Sequence, residues 1–203
     1  MAVEHCEGPA LILAGPGTGK SRILEERTVH LVNQGVHPGS IAVLTFTRKA
    51  ADENRRRITA RLSVETADQM QVSTLHSLAL RILVAVERKH HREIPEVVDP
   101  AVCYDYLRRA LVEVQLDPAL YAPFTIWKTM IGWKAGGRDL NRLDLPVRLT
   151  VERYQEILAA ECKWDLADLV TGATDALEAE SDIAAAFQTI RYLEVDEFQD
   201  SAP

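Results

Sequence analysis

The stretch Ala14-Gly15-Pro16-Gly17-Thr18-Gly19-Lys20-Ser21 combines three glycines, a lysine and a hydroxyl within eight residues. Glycines let backbone N–H groups converge on an anion without Cβ clashes. A helix starting at Gly19 and Lys20 would turn its positive N-terminal end toward the same anion. In a phosphate loop of this pattern Lys20 reaches the β- and γ-phosphates of a nucleotide, and the Ser21 hydroxyl ligates Mg²⁺. The competing reading is a glycine-rich turn with a chance lysine. The position between an apolar run and a helical pattern favours the loop.

Nucleotide hydrolysis also needs an acid near the metal and a group that orients and deprotonates water. The segment "RYLEVDEFQD", Arg191 to Asp200, ends a β-rich run in acids. Asp196 would hold Mg²⁺, through water, and Glu197 would activate the attacking water. Taken alone, such a pair could be a solvated acidic turn. Together with the loop at Gly15, both motifs fall at the carboxyl ends of expected parallel strands, where open α/β sheets bind ligands.

These groups need a scaffold, and the hydrophobic pattern supplies one. Leu11 to Ala14 reads as a short buried parallel strand. A helical pattern follows from about Gly19 to Val32, ended by Gly35 and Pro38. Ile41 to Phe46 is a second β-rich run, Arg48 to Leu62 a basic helix, Gln71 to Thr74 a third strand and Leu75 to Val86 a helix. This alternation implies a parallel sheet covered by helices. From Glu87 to about Asp182 no convincing strand is visible. Helices are expected after Asp99-Pro100 (with Val102, Tyr106, Ala110 and Val114 on one face), from Asp117-Pro118 to near Gly136-Gly137, from a Thr150 cap through Val151, Tyr154, Ile157 and Leu158, and from Asp165 to Leu177. The expected fold is α/β: a P-loop NTPase parallel sheet flanked by helices, with an all-helical inserted subdomain. The core would take residues 1–88 and 183–203, and the insertion 89–182.

The formal net charge of -7 argues against a protein that coats nucleic acid with a basic surface. A local basic groove is still available on the helix bearing Arg48, Lys49, Arg55, Arg56, Arg57 and Arg61, although such a row can also be a solvated face. No apolar run approaches the ~20 residues needed to span a bilayer. The N-terminal residues carry no basic cluster, so no membrane partner and a cytoplasmic location are expected. Cys6, Cys103 and Cys162 lie far apart, as reduced and mostly buried thiols would. The cluster "ERKHHRE", Glu87 to Glu93, lacks the helical i, i+4 histidine pair of a zinc site. It reads as a solvated hinge between core and insertion. Trp127, Trp133 and Trp164 read as packing anchors.

With these residues in hand, the chain resembles the N-terminal portion of the UvrD/Rep/PcrA-like superfamily 1 DNA helicases. "AGPGTGKS" is similar to that family's motif I, and "LTFTRKAADENRRRI", Leu44 to Ile58, to motif Ia with its helix. "VSTLHSLALRIL", Val72 to Leu83, is similar to the next DNA-contact motif, and "VDEFQDS", Val195 to Ser201, to motif II. In the insertion only position, helical character and "WDLADL", Trp164 to Leu169, correspond. The resemblance implies ATP and Mg²⁺ as cofactors, with Ala14, Gly15, Pro16, Gly17, Thr18, Gly19, Lys20, Ser21 and Arg22 around the nucleotide and Arg22 against the adenine. Lys20, Asp196 and Glu197 would be catalytic, and Ser21 and Asp196 would hold the metal. Thr45, Phe46, Thr47, Arg48, Thr74 and His76 would line a single-strand DNA path. Physical chemistry supports an aromatic beside basic residues there, since every base offers a stacking face. By the residues alone, Phe46 could equally be a core aromatic and His76 a satisfied core histidine. Arg48 departs from the asparagine often found at its position.

What the resemblance implies is the ATP-binding part of a 3′-to-5′ helicase or translocase in replication or repair. It would act on single-stranded DNA or a single/double-strand junction and be nucleoid-associated in the cytoplasm. The C-terminal motor domain is not in this sequence, and the family's glutamine motif would precede it. Weak nucleotide binding and negligible hydrolysis are therefore expected of these 203 residues alone. Two alternatives stand beside this: the helicase part of a RecB/AddA-type nuclease-helicase, and a non-catalytic DNA- or partner-binding module with a relict phosphate loop.

Overall fold

The structure is a computed structural model and describes residues 2–5, 8–13, 15, 18–135 and 139–198. In chain order the elements are α1 (Lys20–Asn33), β1 (Ile41–Thr45), α2 (Arg48–Arg61), α3 (Val64–Asp68), β2 (Gln71–Thr74), α4 (Leu75–Lys89), β3 (Glu96–Val97), α5 (Pro100–Glu113), α6 (Pro123–Ala135), α7 (Leu145–Ala160), β4 (Lys163–Trp164), α8 (Leu166–Ala179), α9 (Ser181–Phe187) and β5 (Tyr192–Val195). The fold class is α/β, a parallel sheet flanked by helices. Two compact units divide the chain. One takes the chain up to Leu78 and from Ala184 onward, and the other is Ala79–Ile183.

In the first unit three strands form a parallel sheet in the order β2-β1-β5. β1 is central and buried at every position, which is why it reads as an unbroken apolar run rather than an alternation. Val43 sits opposite Val72 on one side and Glu194 on the other. The core beside it holds Leu31, Ile41, Val43, Ile58, Met70 and Val72. α1 ends where Gly35 adopts φ 85°, the left-handed position that glycine fills without Cβ strain. α2 begins on Thr47, whose side chain accepts from the Ala50 N–H.

The strand expected at Leu11 to Ala14 is not formed by residues 11–13; Ala14 lies outside the described residues. Leu11 is 70% and Leu13 86% exposed. A parallel strand needs a neighbour to take its N–H and C=O groups, and none runs alongside this segment among the described residues. On β5 the burial is inverted relative to polarity. Leu193 is 59% exposed, while Glu194 and then Asp196 point inward.

The second unit is mostly helical. Its core is built on Cys103, Leu107, Ala110, Leu111, Ile126, Met130, Val151, Tyr154, Ile157 and Leu158. Asp99 caps α5 by accepting from the Ala101 and Val102 N–H groups, with Pro100 in the first turn. The buried face of α5 is Cys103, Leu107, Ala110 and Leu111, one residue on from the expected Val102, Tyr106, Ala110 and Val114. The four buried positions keep helical spacing, so the pattern alone does not separate two adjacent stripes. Asp117-Pro118 forms a turn, not a helix start: the Leu120 and Tyr121 N–H groups bond to Asp117 O, and α6 begins at Pro123. Gly136 and Gly137 lie outside the described residues. Thr150 is not a cap. It is buried inside α7, its hydroxyl donating to Pro146 O at 2.9 Å. Asp165 does cap α8, accepting from the Asp168 N–H at 2.8 Å.

β3 and β4 pair in parallel over two residues each, too short to leave an alternating pattern. Trp127 and Trp133 pack against the helical core. The "ERKHHRE" cluster lies within the second unit. Lys89 reaches Glu180 at 2.8 Å and Asp182 at 2.6 Å, and His90 reaches Glu180 at 3.2 Å. Among the described residues no group of three or more His, Cys, Asp or Glu is placed to hold a metal ion, and no helix is long and apolar enough to cross a membrane.

Candidate functional site

Lys20 and Ser21 open α1, and Asp196 and Glu197 follow β5. Although nearly the whole chain separates them, the structure brings them together. The Ser21 hydroxyl donates to Asp196 Oδ2 at 3.0 Å, and Lys20 Nζ lies 3.3 Å from Glu197 Oε2. The loop before α1 is tightened by Thr18, whose hydroxyl donates to Gly15 O at 2.7 Å. Gly19 takes φ 89°, and a Cβ there would meet nothing within 4 Å. The backbone conformation, not crowding, therefore demands glycine. Ala14, Pro16 and Gly17 lie outside the described residues. Arg22 is exposed and within 3.8 Å of Glu26.

The acidic end is held by the sheet. Asp196 N–H donates to Leu44 O at 2.9 Å, extending the β1–β5 ladder by one rung. Asp196 Oδ1 accepts from the Glu197 N–H at 3.0 Å. Asp196 is therefore buried with both carboxylate oxygens engaged. Glu197 takes φ 52°, a left-handed conformation that costs a non-glycine residue on the order of 1 kcal/mol or more and is found at functional sites. An all-oxygen set of Ser21 hydroxyl and Asp196 carboxylate suits a hard cation such as Mg²⁺. An ammonium beside it suits a polyphosphate.

Behind this site sits a buried carboxylate that sequence reasoning missed. Glu194 shares its strand face with Asp196. Its Oε2 accepts from the Thr28 hydroxyl at 2.8 Å, and Arg27 Nε lies 3.2 Å from Oε1. Oε1 itself accepts no aligned hydrogen bond, and Arg27 gives its Nη1 to His5 O. The signal was the two-residue alternation of Tyr192, Glu194 and Asp196, which puts an acid on the face of the site's own aspartate.

Burial pushes the Glu194 carboxyl up to about 7, against the lowering pull of the Thr28 hydrogen bond and the Arg27 charge. A carboxyl whose folded pKa is raised contributes its stability fully below the unfolded value of 4.5 and loses it as pH rises through about 7. The loss is on the order of 3 kcal/mol. The melting temperature of the first unit is therefore expected to fall between about pH 4.5 and 7, levelling off above that, by roughly 4–8 °C for each kcal/mol lost. Glu194→Gln should flatten that slope, and parallel pH profiles for the two proteins would rule the assignment out.

The residues expected on a DNA path divide into two groups. Thr45 and Thr74 are buried, with hydroxyls used internally: Thr45 donates to Thr47 O at 3.0 Å, and Thr74 accepts from the Ser77 N–H at 3.1 Å. Thr47 caps α2. Phe46 and His76, by contrast, meet at the carboxyl ends of β1 and β2. Their rings are edge-to-face with centroids 6.3 Å apart. Phe46 is 42% exposed. Burial lowers the His76 pKa, so its ring is neutral at neutral pH. On the basic helix Arg55 pairs with Asp68, Arg57 with Glu53, and Arg61 with Glu25 and Glu26. Arg48, Lys49 and Arg56 enter no ion pair among the described residues.

Comparison with known proteins adds an independent line. The family model described as UvrD/REP helicase N-terminal domain matches residues 1–203. The chain is 35% identical over 216 residues to the ATP-dependent DNA helicase PcrA of Leuconostoc citreum, covering 98% of this chain and 28% of that protein. It is 30% identical to PcrA of Bacillus subtilis strain 168, covering 98% and 28%. It is also 30% identical to the ATP-dependent DNA helicase Rep of Escherichia coli K12, covering 99% and 31%. The chain thus spans under a third of the length of these relatives.

Proposed function

Because the chain belongs to the UvrD/REP helicase N-terminal domain family, we propose that it forms the nucleotide-binding part of an ATP-dependent DNA helicase. The observation that supports this most directly is the meeting of Lys20 and Ser21 with Glu197 and Asp196 across opposite ends of the chain. In this reading the first unit is the ATPase core and the second the helical insertion. Gly15, Thr18, Gly19 and Lys20 bind the phosphates, with Ala14, Pro16, Gly17 and Arg22 completing the nucleotide contacts. Ser21 and Asp196 hold Mg²⁺, which when bound supplies positive charge against the phosphates. Lys20 releases Glu197 as its ammonium turns to the β- and γ-phosphates. Glu197, freed from that ion pair, accepts the proton of the attacking water.

The same sheet edge carries the nucleic-acid side of the proposal. Phe46 and His76 stand beyond the carboxyl ends of β1 and β2, and Asp196 bonds to the neighbouring β1 residue Leu44. An exposed aromatic with Arg48 beside it offers a stacking face and a phosphate contact to single-stranded DNA. Thr45, Thr47 and Thr74 shape that edge by fixing the turns beneath it. Movement toward the 3′-to-5′ direction, opening of a strand junction and a role in replication or repair are inherited proposals from the family. They need motor elements beyond these residues. The chain by itself is proposed to bind Mg²⁺-nucleotide weakly and to turn it over negligibly.

The test is melting of the 203-residue chain with Mg²⁺ and ATP. At a hundredfold excess over Kd, binding adds about 2.7 kcal/mol to the nucleotide-bound unit, a shift of several degrees. Lys20→Ala should abolish the shift without lowering the melting point of the free protein. An unshifted wild type would instead favour a module with a relict phosphate loop.

A further inference from the structure

Arg27 and Thr28 are adjacent on α1, one and a half to two turns beyond Ser21, and both converge on Glu194. Glu194 lies two residues before Asp196 on the same face of β5. α1 and β5 are thus tied twice: at Ser21–Asp196 at the mouth of the site and at Thr28–Glu194 beneath it. The second tie is dry. The Glu194 side chain is 3% exposed, and that of Arg27 15%. Thr28 is fully buried, and its hydroxyl also reaches Leu24 O at 2.9 Å. Arg27 carries the tie further, donating to the backbone of His5 in the segment ahead of the phosphate loop.

A buried carboxylate held by only one aligned hydrogen bond is a costly way to fill a core position. Leucine or valine would serve packing better. What an acid adds is direction: it fixes how far α1 sits along β5. That displacement sets the Ser21-to-Asp196 distance, and a metal held by two protein oxygens is sensitive to shifts well below 1 Å.

We propose that Glu194 is a positioning residue: with Thr28 and Arg27 it clamps α1 against β5 so that Ser21 and Asp196 are held at metal-binding separation. The inference rests on the nucleotide site proposed above, and its consequence is specific. Loss of the clamp weakens the Mg²⁺-dependent part of nucleotide binding and leaves the phosphate-loop part alone.

The experiment measures binding of a fluorescent ATP analogue to the 203-residue chain as a function of Mg²⁺, and again in EDTA. Glu194→Leu should lower apparent Mg²⁺ affinity by on the order of tenfold to a hundredfold, the usual cost of losing a group that orients a metal ligand. Affinity for the metal-free nucleotide should stay at the wild-type value. Glu194→Gln keeps an acceptor for Thr28 and should restore most of the Mg²⁺ response. Thr28→Val, which removes the hydroxyl and little volume, should move it in the same direction as Glu194→Leu and serves if the leucine variant does not fold. A merely structural role would lower melting temperature while leaving the Mg²⁺ midpoint of the folded protein unchanged, and that result in both variants would overturn the proposal. No nucleotide binding by the wild type, with or without Mg²⁺, would overturn the site itself and the clamp with it.

Discussion

In the ATP-dependent helicase proposed above, Glu197→Gln is expected to lower ATP turnover by on the order of 10² to 10⁴ while leaving Mg²⁺-nucleotide binding intact. Three features separate the two effects. The Glu197 side chain is 44% exposed and its partner Lys20 27%, so their ion pair contributes little to stability and its loss does not unfold the site. Glu197 reaches Asp196 through its backbone N–H, so the amide substitution keeps that bond and the left-handed backbone. What glutamine lacks is a basic oxygen to take the proton from water. Lys20 also loses its resting partner and is more available to phosphate, so binding should hold or tighten. Steady-state turnover and equilibrium nucleotide titration on the same preparations check both halves. Turnover within tenfold of wild type would mean that another group activates the water.

The glycine loop and the acidic strand end on which this expectation rests are legible in the sequence for a physical reason. A loop that wraps phosphate needs glycines at fixed spacing, a lysine and a hydroxyl at a helix start. Few other constraints produce that combination. The carboxylates likewise had to end a strand. Gln71–Thr74, the cap at Asp99 and the helix beginning near Asp165 were legible on similar grounds, because cap and strand patterns are local. The failures occurred where the deciding partner is distant in sequence. Leu11 and Leu13 look like a buried strand, yet burial requires a neighbour the local pattern cannot reveal. Glu194 looks like the solvent face of an amphipathic strand, and the structure buries that face instead. Thr150 looks like a cap because threonine often is one, but its hydroxyl satisfies the preceding turn. For the expected DNA path, the family resemblance offered six residues, with Arg48 departing from the asparagine often found at its position. Only coordinates separate Phe46 and His76, presented as a pair, from Thr45 and Thr74, whose hydroxyls are consumed inside the fold.

The least legible feature carries the second large expectation. α6 is apolar on nearly every side, so nothing in its pattern marks Lys134 as internal. Yet its side chain is 0% exposed. Its ammonium contacts Asp165 and lies 2.9 Å from Asp168 Oδ2 and 5.0 Å from the Tyr154 ring centre. Asp165 Oδ2 also accepts from the Tyr154 hydroxyl at 2.8 Å. Burial alone would raise the Asp165 pKa, but the charge and hydrogen bond of Lys134 and the bond from Tyr154 hold it below the usual carboxylate range.

Lys134→Met keeps the volume and removes the buried ammonium that Asp165 and Asp168 share, leaving the buried Asp165 carboxylate without its counter-charge. The expected cost to the helical unit is about 3–5 kcal/mol, most of it from the stranded charge rather than from the lost pair. Two controls separate these origins. Adding Asp165→Asn and Asp168→Asn to Lys134→Met should recover part of the loss. Acid should also act oppositely on the two proteins. In the wild type the depressed Asp165 contributes stability above its unfolded pKa of 3.8 and loses it as pH falls. In Lys134→Met the largest lowering influence is gone, burial outweighs the remaining bonds from Tyr154 and the Asp168 N–H, Asp165 titrates upward, and stability is regained as the pH is lowered.

All three tryptophans, Trp127, Trp133 and Trp164, lie in Ala79–Ile183. Denaturant unfolding followed by tryptophan fluorescence therefore reads this unit without interference from the nucleotide site. A Lys134→Met penalty below about 1 kcal/mol, equal at pH 5 and pH 8, would show that water reaches the cluster and that its charges are not compensated by one another alone.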